Sequence, residues 1–149
     1  MRLWRISNHA DLAGAGGMRA GGRWHSAGHP IVYCGTSPAA CLLEALVQVS
    51  VRGPNDLPLH YRLLAIDLAD DIALAPSPGL PPEWRTNLAA TRAAGDEWLR
   101  SLSSLLLAVP SALVPQTHNV LFNPLHPDAH KAQVADIVRH PFVSRFFGA

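Results

Sequence analysis

"GGRWHSAGHPIVYCGTSPAACLLEALVQ", residues 21–48, joins a glycine-flanked arginine, a short apolar strand and a helix in one run. The segment "HPIVYCG" (29–35) is β-rich and bounded by proline and glycine, which reads as a buried strand. The segment "TSPAACLLEALVQVS" (36–50) reads as a helix. Thr36 or Ser37 can cap it, and Pro38 suits the first turn, where a missing N–H has no helical partner. Leu42, Ala45, Leu46 and Val49 share one stripe at helical spacing, with Glu44 and Gln48 on the other side.

Working outward, "RLWRIS" (2–7) reads as a strand with Leu3 and Arg5 on one face and Trp4 and Ile6 on the other. The Gly- and Ala-rich residues 8–22 read as a loop, and "LHYRLLAIDLA" (59–69) as a strand. "APSPGLPP" (75–82) is a surface loop, because proline fixes φ and removes donors. Residues 84–102 read as a helix despite Gly95, which costs roughly 1 kcal/mol relative to alanine. "SLLLAVPSALV" (104–114) reads as a strand interrupted at Pro110–Ser111, and "HNVLFNP" (118–124) as another. "PDAHKAQVADIV" (127–138) has the pattern of a helix, followed by a last strand or tail over 140–147. Helices and strands mix without a βαβ rhythm, so the expected class is α+β, a single domain over 1–149.

Composition narrows the function classes. Charged residues make up 15% of the 149, against roughly 25% for an average soluble domain, and the net charge is +1. That balance offers no general electrostatic case for direct nucleic-acid binding, and it fits either a chain covered by a partner or one that is simply rich in alanine and leucine. No stretch is long enough to span a bilayer, and the N-terminus lacks the apolar run of a signal peptide. The expectation is a cytoplasmic protein with no membrane contact. Cys34 and Cys41 read as buried free thiols rather than a disulfide scaffold.

Taken one at a time, the polar candidates have ordinary readings. Arg23 can fork onto a phosphate or carboxylate, yet spacing alone favours an arginine in a turn. Tyr33 can seat a flat ligand or simply fill the core. Glu44 on a polar helix face is usually solvated. Ser111 in an apolar run needs a bonding partner, and no GxSxG elbow surrounds it. His126 and His130 are four apart and His118 can complete a trio, but there is no HExxH, and no metal is expected.

Taken together, the residues resemble the RES domain family, named after its Arg, Glu and Ser. The resemblance lies in "RAGGRWHSAGHPIVYCGTSPAACLLEALVQ" (19–48), "TRAAGDEWL" (91–99) and "VPSALVPQTHNVLFNPLHPD" (109–128), in matching order and spacing. The family's arginine falls on Arg23, its glutamate on Glu44, its serine on Ser111 and the associated tyrosine on Tyr33. His25 stands where many members have asparagine, and "RHPFVSRFFGA" matches the family ending only loosely.

The resemblance implies a fold similar to ADP-ribosyltransferases and a toxin that consumes NAD or transfers ADP-ribose. Its implied partner is an Xre-like antitoxin with a helix-turn-helix domain, in an oligomeric toxin–antitoxin complex. Breaking the nicotinamide–ribose bond leaves a cationic sugar resembling an oxocarbenium ion. Arg23 would hold the diphosphate or a ribose hydroxyl, Tyr33 would seat the nicotinamide, and Glu44 would steady the sugar. Ser111 would fix substrate or orient Glu44, while Arg19 and Asn119 would join Arg23 and Tyr33 in holding the dinucleotide. The acceptor is inorganic phosphate, water or a protein side chain, with small-molecule NAD breakdown favoured over protein ADP-ribosylation. The competing classes are a non-catalytic interaction module and a metal-dependent hydrolase built on the His118–His130 cluster.

Overall fold

The computed structural model describes residues 1–48, 54–56, 58–143 and 145. Its strands are β1 (Arg2–Ile6), β2 (Val32–Gly35), β3 (His60–Leu68), β4 (Leu74–Ala75), β5 (Leu106–Pro110), β6 (His118–Phe122) and β7 (Ala132–Pro141). Its α-helices are α1 (Ala15–Arg19), α2 (Pro38–Gln48) and α3 (Leu88–Ser101). The strands form one sheet in the order β4-β5-β6-β2-β1-β3-β7, antiparallel except for the β4–β5 pair. The expected α+β class is therefore the observed one.

The strand–helix unit forms for local reasons. Ser37 Oγ accepts a 3.1 Å bond from the Ala40 amide, capping α2, and Pro38 occupies the first turn. Gly35 lets that helix close on β2, because a Cβ there would lie 2.5 Å from Cys41 Sγ. Val49 and Ser50, the end of the expected helix, lie outside the described residues.

The core occupies both faces of the sheet, as alternation along β5 and β6 requires. Leu106 and Phe122 join Leu3, Val32, Cys34 and Ile66 on one face. Leu107, Val109 and Leu121 turn to the other and meet Trp24, Trp98 and Leu99, so α3 packs there. Cys34 and Cys41 are buried and unbridged, and burial pushes their thiols up to about 12 and about 11, which leaves both protonated and inert.

Several local expectations are corrected. Residues 127–138 are not a helix: a 3₁₀ turn over Pro127–Lys131 leads into β7, which pairs with β3 along its whole length. The β-branched Val134, Ile137 and Val138 suit a strand, and the open edge of β3 supplies the partner that helical patterning could not reveal. The loop over 8–22 contains one helical turn, α1, and Ala75 at the start of the proline-rich loop belongs to β4. β5 stops at Pro110 rather than resuming; Ser111 opens a turn closed by bonds from its amide to the Thr117 carbonyl and from the Thr117 amide to the Val114 carbonyl, both 2.8 Å. Of the expected last strand or tail, His140 and Pro141 close β7, and residues 144, 146 and 147 lie outside the described residues.

Candidate active site

The sheet register assembles the site. Asn119 lies opposite Gly35, and Leu121 opposite Tyr33, so Asn119 and Tyr33 share the face that carries Trp24 and Trp98. α2 brings Glu44 over that face. Glu44 Oε1 accepts 2.7 Å from Ser111 Oγ and 2.9 Å from Asn119 Nδ2. Both bonds fall on Oε1, which leaves Oε2 without a protein partner among the described residues. The glutamate is half-buried, not the solvated surface acid its helix face suggests.

Ser111 is only 2% exposed, and its hydroxyl is fully committed. It donates to Glu44 and accepts from the Leu113 and Val114 amides at 3.1 and 3.2 Å. The hydroxyl is a brace for the carboxylate, fixed by the turn that ends β5.

Tyr33 and His25 form a second fixed pair. The Ala20 carbonyl can only accept, so His25 Nε2 carries the proton in that 2.9 Å bond. Nδ1 is then the acceptor, and the Tyr33 hydroxyl donates to it at 2.7 Å while taking the Trp24 amide at 3.1 Å. Burial pushes the Tyr33 phenol up to about 12, so it stays a donor at neutral pH. Tyr33→Phe strands the Trp24 N–H and His25 Nδ1; the expected cost is about 1–3 kcal/mol, read as a lower urea midpoint at unchanged slope.

His25 also sets a pH dependence. Its burial lowers the imidazole pKa, and the bond to Ala20 only partly opposes that. A depressed folded-state pKa means that the unfolded chain binds the proton more readily. The contribution is therefore present above the ordinary value of about 6.5 and is lost as pH falls from there through the folded pKa. The expected result is that His25→Asn flattens the stability-versus-pH curve below about pH 6.5. An unchanged slope in thermal melts between neutral and acidic buffer would contradict it.

α3 holds the loop that carries Arg23. Thr91 Oγ1 donates 2.7 Å to the Arg23 carbonyl and Arg92 Nε donates 2.8 Å to the Gly22 carbonyl. Asp96 accepts from the Ser26 amide at 2.8 Å and the Ser26 hydroxyl at 2.6 Å. Burial disfavours the Asp96 carboxylate, but those two bonds, together with the nearby His29 and Arg100, hold the carboxyl below its usual range. Arg23 Nη1 donates 3.2 Å to the Arg85 carbonyl, and the Arg85 guanidinium donates to the Ala112 carbonyl at 3.0 and 2.7 Å. The arginine loop and the serine turn are thereby linked across the cleft.

The cleft between them has a volume of about 550 Å³, within the range of small-molecule sites. Arg23, Tyr33, Glu44 and Asn119 line it. Ser111 is not among the residues that line it; with Glu44 and Asn119 it borders a neighbouring hollow. Arg19 is exposed at the end of α1 and is not among the lining residues. Arg5 and His25, to which sequence reasoning gave no role, also line the cleft. A lone arginine in a strand carries no signal of that kind; His25 was at least marked by standing where asparagine is common. His126 Nδ1 accepts the Asp128 amide at 3.0 Å and His130 Nδ1 bonds the Pro127 carbonyl at 2.9 Å. Among the described residues no group of three potential metal ligands converges, and no helix is long and apolar enough to cross a membrane.

Residues 2–143 match the RES domain family. The chain is 49% identical over 134 residues to Toxin Res of Pseudomonas putida, covering 90% of this chain and 92% of that protein. It is 39% identical over 139 residues to the Prs ADP-ribosylating toxin of a Sphingobium species, covering 85% and 84%. In fold it is similar to a chain of the M. tuberculosis MbcT–MbcA toxin–antitoxin complex, with a TM-score of 0.71 at 22% identity over 99% of this chain and 86% of that one.

Proposed function

The chain belongs to the RES domain family, and from that premise we propose that it is the toxin of a toxin–antitoxin pair and cleaves the nicotinamide–ribose bond of NAD. The observation that carries the reading is a carboxylate, Glu44, pinned through one oxygen at the wall of a cleft that Arg23 and Tyr33 also line. Relatives named as toxins, one of them ADP-ribosylating, support it.

The chemistry suits those groups. As the C1′–N1 bond of NAD breaks, its electron pair leaves with nicotinamide, which becomes neutral, so no strong general acid is needed. Positive charge grows on the ribose. Glu44 Oε2 accepts a ribose hydroxyl and stabilises that charge; Ser111 and Asn119 keep the carboxylate from swinging away. Both are positioning residues. Preorganised charge of this kind costs no reorganisation during the reaction. Arg23 binds the anionic part of the dinucleotide. Tyr33, its hydroxyl spent on Trp24 and His25, offers its ring to the nicotinamide.

The ribosyl cation is then captured by a nucleophile. An oxygen of inorganic phosphate gives a phosphorylase, water gives a glycohydrolase, and a protein side chain gives ADP-ribosyl transfer. The last is the second reading, favoured by the relative named as an ADP-ribosylating toxin. The antitoxin partner is of the Xre type, and the chain's low charge fits its being covered in the cell. Expression of the chain alone should arrest growth and deplete cellular NAD, and Glu44→Ala should relieve both. Growth arrest with an intact NAD pool would point to the transferase reading; no arrest would sink the toxin assignment. Product analysis with and without phosphate separates the small-molecule acceptors.

A further inference from the structure

Arg85 stands in the 3₁₀ turn Trp84–Thr86, which follows the proline-rich loop and leads into α3. Its neighbour Trp84 packs against Trp24, with ring centroids 6.1 Å apart, so the turn rests on the loop that carries Arg23. Arg85 then holds both sides of the cleft with two different groups. Its backbone carbonyl accepts from Arg23 Nη1 at 3.2 Å. Its guanidinium donates from Nε and Nη2 to the single carbonyl oxygen of Ala112, at 3.0 and 2.7 Å. Arg23 and Ala112 lie 62 and 27 positions from Arg85, so no local turn requires these bonds.

The groups held at each end are the ones the reaction needs placed. Among the described residues, the Arg85 carbonyl is the one hydrogen-bond partner of the Arg23 side chain. That bond sets the direction of the Arg23 guanidinium while its other N–H groups stay available to an anion. At the other end, Ala112 directly follows Ser111 and lines the cleft. Ser111 braces Glu44 from within a tight turn, so a shift of the Ala112 peptide moves the serine hydroxyl and the carboxylate with it. Arg85 itself is exposed and does not line the cleft. Its planar fork is fixed on a neutral carbonyl, with no carboxylate within ion-pair distance among the described residues. Exposed bonds of this kind add modestly to stability. Their consequence lies in the geometry they fix.

We infer that Arg85 is a positioning residue for the reaction, a clasp that keeps the cation binding the dinucleotide and the braced carboxylate at one separation. This rests on the NAD reading and gives Arg85 no contact with substrate.

The test uses the full chain. Arg85→Met keeps the aliphatic stem and removes the donors. It should raise KM for NAD and lower kcat, each by about three- to tenfold, because Arg23 and Glu44 lose their relative placement. Arg85→Lys, with a cation but no fork, should recover part of both. A double-mutant cycle separates a clasp from a general weakening of the fold. With Ser111→Ala already present, Arg85→Met should change kcat by less than about twofold; with Arg23→Ala present, it should change KM by less than about twofold. The same factors in every background would overturn the inference, as would wild-type kinetics in Arg85→Met whatever its urea midpoint. Hydrogen exchange provides a readout independent of turnover. The amides of Leu113, Val114 and Thr117, which close the serine turn, should exchange about tenfold faster in Arg85→Met, with no change along the β3–β7 pair. Unchanged exchange in the turn overturns the clasp even if NAD is cleaved. NAD left intact by the wild type overturns the NAD reading instead, and faster exchange confined to the turn would then still show that Arg85 holds it.

Discussion

Glu44→Gln is expected to lower the turnover of NAD by about two to three decades, on the order of 3–4 kcal/mol of transition-state stabilisation. Glutamine keeps the shape and retains an amide oxygen that can accept from Ser111 Oγ and Asn119 Nδ2, so the site stays assembled. What disappears is the negative charge facing the ribose. The interaction matters only once the sugar becomes cationic, so the loss should appear in kcat with little change in KM. A urea midpoint close to that of wild type would show that the fold is intact. A near-normal rate in the folded variant would reject the role assigned to Glu44. Ser111→Ala is the complementary case: it leaves the charge but releases the brace, so a smaller fall in kcat should come with a measurable loss of stability.

Gly95→Ala is expected to destabilise the protein by about 3 kcal/mol or more. Judged from helix propensity alone the substitution should help, since alanine is favoured over glycine by about 1 kcal/mol inside a helix. The structure reverses the sign. A Cβ on Gly95 would overlap the carbonyl oxygen of Trp24, which α3 holds against itself. The backbone cannot retreat cheaply, because Thr91 bonds the Arg23 carbonyl and Asp96 bonds Ser26 on either side of that contact. The strain falls on the loop that carries Arg23, so activity should drop with stability. Urea denaturation reads the effect; a midpoint equal to or above that of wild type would show that the loop does not depend on this close approach.

Gly95 also illustrates what could be read from the sequence. As a residue in a helical pattern it looks like a small cost; only the fold reveals that it makes room for a loop some seventy positions earlier. The strand–helix unit over 29–48 was legible because its signals are local: a bounding proline and glycine, a serine cap and an apolar stripe. β7 was not, because Val134, Ile137 and Val138 sit in a helix-like pattern and their strand partner lies some seventy residues away in β3. Arg23, Tyr33, Glu44 and Ser111 stood out only through a family resemblance, since each alone has an ordinary explanation. Their distances could not be read, because Glu44 and Ser111 are 67 positions apart and meet only when β5, β6, β2 and α2 have packed. Arg5 and the Tyr33–His25 bond were illegible for the same reason. A partner defined by tertiary contact leaves no periodic trace in the chain.

The most direct measurement is to incubate the purified chain with NAD and quantify free nicotinamide against NAD consumed. One nicotinamide should be released for each NAD lost, with release suppressed in Glu44→Gln. NAD that persists, or NAD consumed while nicotinamide stays attached to ribose, would contradict it.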